Sequence, residues 1–329
     1  MRWQLKQGEG VVLCPFVGSG STRLCLCPRR IGFCGYSRPT HVVSYSELDA
    51  LRQCPLKRHL AYTERWKAPT TSPALSRGTL FHAVLEAHYR RKMAQQCLTQ
   101  ASGGTAADTL TLDVILDPWY LLQGDDEQTE IVKWVYEGYQ EHYGTEPDIE
   151  VVAVELPLEA WLPAPSGKRS SYRLKGKIDL LVRDHSCGGG LWFWDHKTCS
   201  TLPSGRALDF DDQFSIYTWL LQENGYDVRG GLYNACRTKQ LKRPMKMDER
   251  FSRPLTSRTP RECREVVREV YETFKSATPR QGVQPPRSPD PDRCGWKCDF
   301  TEACLMSRKG IDIKGLLVDM GYEQDFSRH

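Results

Sequence analysis

The sequence reads SYRLKGKIDLLVRD over residues 171–184 and GLWFWDHKTCS over residues 190–200, two runs rich in β-branched and aromatic residues. Such runs favour β-strands, and the turn sequence HSCGGG at residues 185–190 predicts that the two strands are neighbours. Asp195 and Lys197 are two apart on the second strand, so we expect both side chains on the same face. The two runs therefore predict a sheet that holds charged side chains among apolar ones.

The charged residues of these strands form a candidate metal site. Asp179 lies on the first strand, next to Asp195 on the second, while His196 points away and offers its carbonyl oxygen near the same face. Carboxylate and carbonyl oxygens are the ligands that Mg²⁺ and Mn²⁺ prefer, and Lys197 could orient or deprotonate a water beside them. An exposed ion pair is the alternative for the Asp-x-Lys pattern alone. The apolar neighbours of both aspartates argue against it, because an unpaired carboxylate is costly to bury.

Composition places the 329-residue chain among soluble globular proteins, with 40% hydrophobic residues, 26% charged residues and a mean hydropathy of −0.53. The net charge of +4 conceals two basic segments, because residues 51–100 carry +7 and residues 236–310 carry +8, whereas residues 101–150 carry −11. Basic segments could meet a polyanion such as DNA, with a solvated surface as the alternative. Thirteen cysteines without an apolar N-terminal signal favour thiols or metal ligands over disulfides.

Helical patterns flank the predicted strands in the sequence. Apolar residues recur at helical spacing over residues 75–92, which include His82, and a further helix is predicted over residues 208–223. Residues 101–128 read as a loop-rich acidic insertion, and residues 281–293 form a Pro-rich connector. Strands that alternate with helices predict an α/β fold.

Five separated blocks, followed by a cysteine triplet, carry a resemblance to one family. They are SYSELDALRQCPLKRHL at 44–60, RGTLFHAVLEA at 77–87, GKIDLL at 176–181, WDHKT at 194–198, QFSIY at 213–217 and the triplet segment CGWKCDFTEACL at 294–305. In this order they resemble the PD-(D/E)XK nuclease superfamily, in particular the RecB-like and CRISPR-associated exonucleases that carry an iron–sulfur cluster. The resemblance runs from Ser44 to Cys304.

The resemblance implies a restriction-endonuclease-like core, in which helices flank a mixed central sheet, with an iron–sulfur subdomain that joins the N- and C-terminal segments. The implied organisation has three parts. They are a poorly ordered N-terminal extension at residues 1–40, a nuclease core at residues 41–280 with the acidic insertion near 101–128, and a connector and cysteine segment at residues 281–329 that packs back on Cys54.

The resemblance also implies roles for the candidate site residues. His82, Asp179 and Asp195 would be side-chain ligands of Mg²⁺ or Mn²⁺, and His196 would add its backbone carbonyl. The implied catalytic set is Asp179, Asp195, Lys197, Gln213 and Tyr217, with Lys197 as the catalytic lysine and the last two on a helix that borders the active site.

The cysteine triplet has the spacing C-x₃-C-x₅-C, too compressed for three unrelated core thiols. By the resemblance, its members join one N-terminal cysteine as the ligands of a 4Fe–4S cluster. These ligands would be Cys54, Cys294, Cys298 and Cys304. The more usual triplet of the family has C-x₂-C, and Zn²⁺ bound by the same four cysteines is the alternative.

The resulting interpretation is a metal-dependent DNA exonuclease that hydrolyses phosphodiester bonds of single-stranded DNA in recombination, repair or replication. The residues predicted to track phosphates are Arg52, Lys57, Arg58 and Arg77. A catalytically silent DNA-binding subunit of a nuclease–helicase or spacer-acquisition complex is the alternative, and a redox iron–sulfur protein is a third class. No G-x-x-x-x-G-K-[ST] motif occurs, so unwinding would need a helicase or recombination partner. We expect the cytoplasm of a prokaryote or of a virus-infected cell, and no membrane association.

Overall fold

The computed structural model describes residues 41–326 except residues 71, 101–116, 187, 278–282 and 297. The expected extension at residues 1–40 and most of the expected acidic insertion lie outside the described residues. The described end of the insertion holds a 3₁₀ turn at Pro118–Leu122 and the start of a helix at Glu127. Asp117 and Asp126 cap these two helical segments with their carboxylates.

A seven-stranded mixed sheet forms the centre of the described fold, which confirms the predicted sheet. Its strands are β1 (His41–Ser44), β3 (Ile149–Pro163), β4 (Arg169–Asp184), β5 (Gly190–Cys199), β6 (Val228–Arg237), β7 (Phe251–Ser252) and β8 (Leu255–Ser257), and two further strands are β2 (Trp66–Lys67) and β9 (Glu323–Gln324). Strand β4 pairs with β3 along one edge and with β1 and β5 on the other. Strand β6 runs parallel to β5 and is antiparallel to β7 and β8, while β2 and β9 form a separate pair.

Helices cover both faces of this sheet. The helices of the described residues are α1 (Tyr45–Gln53), α2 (Pro55–Arg58), α3 (Pro73–Gln100), α4 (Glu127–Tyr143), α5 (Gly205–Leu208), α6 (Asp212–Glu223), α7 (Met247–Arg250), α8 (Pro260–Ser276), α9 (Pro291–Trp296), α10 (Thr301–Ser307) and α11 (Ile313–Asp319). The chain between α2 and β2 forms a π-helical turn at His59–Thr63. Within the described ranges, no helix combines the length and the apolar character needed to cross a membrane.

Two hydrophobic cores lie on opposite faces of the sheet. The first core packs Phe193 of β5 against Phe214 of α6 and Val267 of α8. The second core packs Trp194, the next residue of β5, against Phe81 of α3 and residues of α4. Neighbouring strand residues thus bury their side chains on opposite faces, as strand geometry requires.

The alternation of side chains reverses halfway along the β3–β4 pair. On β4, Ile178 belongs to the first core and Leu180 to the second, although residues two apart normally share a face. Asp179 lies between them. On β3 the same reversal occurs around Glu155, whose φ of 54° is unusual for a residue that carries a Cβ. The reversal therefore sets Asp179 and Glu155 at the boundary between the two cores.

The C-terminal segment packs against α2 and the π-helical turn, where it forms a third core. Leu56, Leu60, Phe300 and Leu317 are buried in this core. The N–H of Leu56 donates to the carbonyl of Pro286 at 3.2 Å. Strand β9 adds main-chain pairing to β2, so the segment is held by both backbone bonds and apolar contacts.

Candidate active site

Strand β5 presents Asp195 and Lys197 on one face, beside α6. Lys197 Nζ lies 2.9 Å from Asp195 Oδ2, and Gln213 Nε2 donates to Asp195 Oδ1 at 3.1 Å. Asp195 is only 2% exposed, so the lysine and the amide replace water as its partners. Helix α6 begins after Asp211, whose carboxylate accepts from the Gln213 N–H at 2.9 Å. This cap fixes the first turn of α6 and with it the position of Gln213.

Asp179 of β4 faces the same site between β5 and α3. Its Oδ2 accepts from the His196 N–H at 2.8 Å and lies 3.5 Å from His82 Nδ1. His82 is carried by α3, which packs across the sheet as part of the second core. The structure thus brings His82, Asp179 and the His196 peptide together, next to Asp195.

Glu155 of β3 joins this group, although the sequence pattern did not single it out. One carboxylate oxygen of Glu155, one of Asp179 and a ring nitrogen of His82 all lie within 4.8 Å of one another. The Glu155 side chain is 12% exposed and forms an ion pair with Lys177. The signal available in the sequence was an acid between two apolar strand residues, which is the signal that drew attention to Asp179.

The donor set of this site fits a hard divalent cation. Carboxylate oxygens and an imidazole nitrogen are ligands that Mg²⁺ or Mn²⁺ accepts. The Oδ2 atom of Asp195 is buried and accepts no hydrogen bond of normal geometry from the described residues, although Lys197 Nζ is close to it. His82, Glu155, Asp179 and Asp195 therefore offer more oxygen and nitrogen donors than the side chains around them use.

The electrostatics of the site favour a cation as well. Burial raises the pKa of Asp179, and the neighbouring Asp195 carboxylate raises it further. Burial lowers the pKa of His82, as does the charge of Lys197, so the imidazole is neutral at pH 7 and free to bind a metal. Burial alone would lower the pKa of Lys197, but the Asp195 carboxylate outweighs burial and holds this pKa above its usual value.

An open groove of about 660 Å³ runs over the two aspartates and Lys197. Its walls include Tyr45, Tyr62, Lys175 and Tyr217. Burial raises the pKa of Tyr217 to about 12, so its phenol stays protonated. Gly176 lets α6 approach the sheet here, because a Cβ at this position would lie 2.8 Å from a methyl group of Leu220.

The four basic residues predicted to bind DNA are not among the residues that line this groove. Each has a polar partner of its own. The partners are Asp212 for Arg52, Gln53 for Lys57, Glu47 for Arg58 and Gln128 for Arg77. Lys175 and Lys177 of β4, which the sequence pattern did not single out, lie in the groove instead.

The ring of His196 is anchored behind the sheet in a buried polar network. Tyr89 stacks on the ring with centroids 5.7 Å apart, and Asn234 Nδ2 lies 2.8 Å from His196 Nδ1. Arg253 Nε donates to Asn234 Oδ1 at 2.9 Å and Nη1 pairs with Glu146 at 2.5 Å. Because Arg253 can only donate, it fixes the orientation of the amide, so His196 Nδ1 is the acceptor. The network holds the peptide that contacts Asp179.

A second cavity, of about 360 Å³, lies beside the third core and is lined by four cysteines. They are Cys54, Cys294, Cys298 and Cys304, all free thiols of intermediate burial. The N–H groups of Ser288 and Asp290 lie 3.5 Å from the sulfurs of Cys54 and Cys294. Among the described residues, no three cysteine sulfurs lie within 4.8 Å of one another. The four thiols thus line one cavity.

Comparison with known proteins gives one family match. A model of the PD-(D/E)XK nuclease superfamily matches residues 42–305. The crystal structure of SSO0001 is similar at 14% identity and a TM-score of 0.32, over 77% of this chain and 93% of that chain. A protein named "Putative exonuclease" from Eubacterium rectale is similar at 12% identity and a TM-score of 0.47, over 83% of this chain and 91% of that chain. No curated protein matches the chain.

Proposed function

The chain belongs to the PD-(D/E)XK nuclease superfamily, and on that premise we propose that it is a divalent-metal-dependent deoxyribonuclease that hydrolyses phosphodiester bonds. The observation that carries the proposal is the convergence of an imidazole, two carboxylates and an ammonium group beside one open groove. These groups are His82, Asp179, Asp195 and Lys197. They come from α3, β4 and β5, so only the folded sheet assembles them.

In this proposal, His82, Asp179 and Asp195 hold Mg²⁺ or Mn²⁺ together with the carbonyl of His196. The cation would supply a lowered pKa for a water molecule and would offset charge on the phosphate. Lys197 stays protonated because of its pair with Asp195, and its Nζ stabilises the negative charge that develops on the phosphate oxygens. Gln213 holds the Asp195 side chain in place through its amide hydrogen bond.

We further propose single-stranded DNA as the substrate and exonuclease action as the mode, as the resemblance to RecB-like and CRISPR-associated exonucleases implies. The groove supports this choice, since Tyr45 and Tyr62 offer surfaces for base stacking and Lys175 adds positive charge. Arg52, Lys57, Arg58 and Arg77 would then act on phosphates outside the groove. The proposal includes a helicase or recombination partner and a role in recombination, repair or replication.

The cysteine cavity is proposed to hold a 4Fe–4S cluster. A single zinc ion with four thiolates at about 2.3 Å would need sulfurs roughly 4 Å apart, by tetrahedral geometry. No three cysteine sulfurs of the described residues lie within 4.8 Å of one another, which supports the larger group. The cluster would join residues 281–329 to Cys54, and its sensitivity to oxidation supports a cytoplasmic location. Anaerobically purified protein should be brown with absorbance near 400 nm, whereas colourless protein with stoichiometric zinc would contradict the cluster.

Digestion of end-labelled single-stranded DNA with Mn²⁺ tests the nuclease activity. Wild type should degrade the DNA, and Asp195→Asn and Lys197→Ala should reduce the rate by about 100- to 1,000-fold, the scale on which a lost electrostatic stabiliser acts. Asp227→Asn, an exposed aspartate before β6, should behave as wild type. If wild type digests DNA no faster than the two site variants, the protein is not this enzyme, and a catalytically silent DNA-binding subunit becomes the better description.

A further inference from the structure

We propose that Glu155 is a further ligand of the divalent cation and binds it together with His82 and Asp179. The inference rests on the proposed metal-dependent nuclease function and adds a residue from β3 to the ligand set. It follows from where the chain places Glu155, from the backbone conformation there and from the charges that surround the carboxylate.

Glu155 and Asp179 lie at the same level of the antiparallel β3–β4 pair, each between two paired residues. The pairs on either side are Val154 with Leu180 and Leu156 with Ile178. The reversal of faces occurs on both strands at this level, and one carboxylate oxygen of each residue lies within 4.8 Å of the other and of a ring nitrogen of His82. The placement is a property of the sheet and does not depend on a flexible loop.

The backbone at Glu155 is held in a conformation that a residue with a Cβ rarely adopts. Its φ is 54° in the middle of a fifteen-residue strand, and glycine would adopt this conformation without strain. The result of the conformation is the reversal of faces described above, which turns the Glu155 side chain toward Asp179. A glutamate here brings strain that the apolar packing of β3 does not require.

The charges around Glu155 are not balanced by protein groups. Glu155 pairs with Lys177 and Asp195 with Lys197, whereas the ion-pair partner of Asp179 is the ring of His82, whose Nδ1 lies 3.5 Å from Asp179 Oδ2. Lys197 is paired with Asp195, whose buried Oδ2 accepts no hydrogen bond of normal geometry from the described residues. Lys177, the partner of Glu155, is 61% exposed and can swing into solvent. A cation would supply the missing positive charge.

Direct Mn²⁺ binding to the full chain tests the inference without reference to activity. The protein is freed of divalent cations by dialysis, and Mn²⁺ is titrated by calorimetry and by the loss of the free-ion electron paramagnetic resonance signal. Glu155→Gln should weaken Mn²⁺ binding by about 10-fold or more, since even an indirect support of a metal ligand has an effect of that size. Asp179→Asn should abolish binding. Glu159→Gln, which alters an exposed glutamate on the same strand, should leave the affinity unchanged.

Thermal unfolding of a second variant separates a ligand role from a structural one. Glu155→Gly should unfold at a higher temperature than wild type without metal, because it relieves the backbone strain, and should bind Mn²⁺ as weakly as Glu155→Gln does. Wild-type Mn²⁺ affinity in both Glu155 variants, with Asp179→Asn unable to bind, would overturn the inference and leave the proposed nuclease intact. If both Glu155 variants bind Mn²⁺ more weakly than wild type but wild type digests no DNA, the ligand role is supported and the proposed nuclease is contradicted.

Discussion

Replacing Asn234 by alanine is expected to lower the free energy of unfolding by about 2–5 kcal/mol. Asn234 is fully buried, and its amide bridges His196 Nδ1 at 2.8 Å and Arg253 Nε at 2.9 Å. Alanine leaves each of these groups without that partner, and each buried unsatisfied group costs about 1–3 kcal/mol. Arg253 keeps its ion pair with Glu146, so its share lies at the lower end, and the small cavity adds to the total.

Urea unfolding followed by tryptophan fluorescence measures this loss. Asn224→Ala is the matched control, because Asn224 is exposed and its amide bonds only to carbonyls at the end of α6 and on β3; we expect a loss below about 1 kcal/mol. In folded protein, Asn234→Ala should also weaken Mn²⁺ binding by about 10-fold, because the His196 N–H that holds Asp179 is no longer anchored. An Asn234→Ala protein as stable as Asn224→Ala, with wild-type Mn²⁺ affinity, would refute the reasoning.

Three further outcomes follow from the structure. Burial lowers the pKa of His88 to about 4, so the unfolded chain binds a proton at this imidazole at a higher pH than the folded protein does. The free energy of unfolding of wild type should therefore fall by about 2 kcal/mol between pH 7 and pH 5 through this group. His88→Gln should lose correspondingly less in urea titrations at the two pH values, and equal losses would contradict the role of His88. Because burial and Asp195 raise the pKa of Asp179, protons compete with the metal for this carboxylate, and Mn²⁺ should bind more tightly as the pH rises through that pKa. Calorimetry in two buffers measures the proton release. A Mn²⁺ affinity independent of pH would be inconsistent with this competition. Gly176→Ala should cost about 1–3 kcal/mol and slow DNA digestion, because the new Cβ pushes on Leu220 and Tyr217, whereas Gly205→Ala, which meets nothing within 4 Å, should leave both unchanged.

Regular strand geometry was sufficient to place one part of the site from the sequence. Asp195 and Lys197 lie on one face of β5 and His196 on the other, because β5 keeps its alternation over this stretch. The hydrophobic runs likewise predicted the neighbouring strands β4 and β5, since burial on both faces selects β-branched and aromatic residues, whereas the mixed sheet was implied by the family resemblance. Local patterns of this kind act over a few residues, and the sequence displays them directly.

Two other features depend on interactions that the local pattern does not encode. Glu155 enters the site because β3 reverses its alternation at a positive φ, and a non-glycine residue in that conformation leaves no mark in the sequence. The basic residues were assigned by proximity to the motifs, but Arg58 is paired with the buried Glu47 and Arg52 with Asp212 of α6. Such pairings are decided by how α1, α2 and α6 pack together.

Tyr62 of the π-helical turn lies between the third core and the groove. It packs against the third core alongside Cys54, Cys298 and Cys304, and it also forms part of the groove wall. A group bound in the cavity would stabilise the surface on which Tyr62 rests, so its binding and the binding of a DNA strand would share a coupling free energy. By reciprocity, a DNA strand bound in the groove would raise the affinity of the cavity for the group bound there.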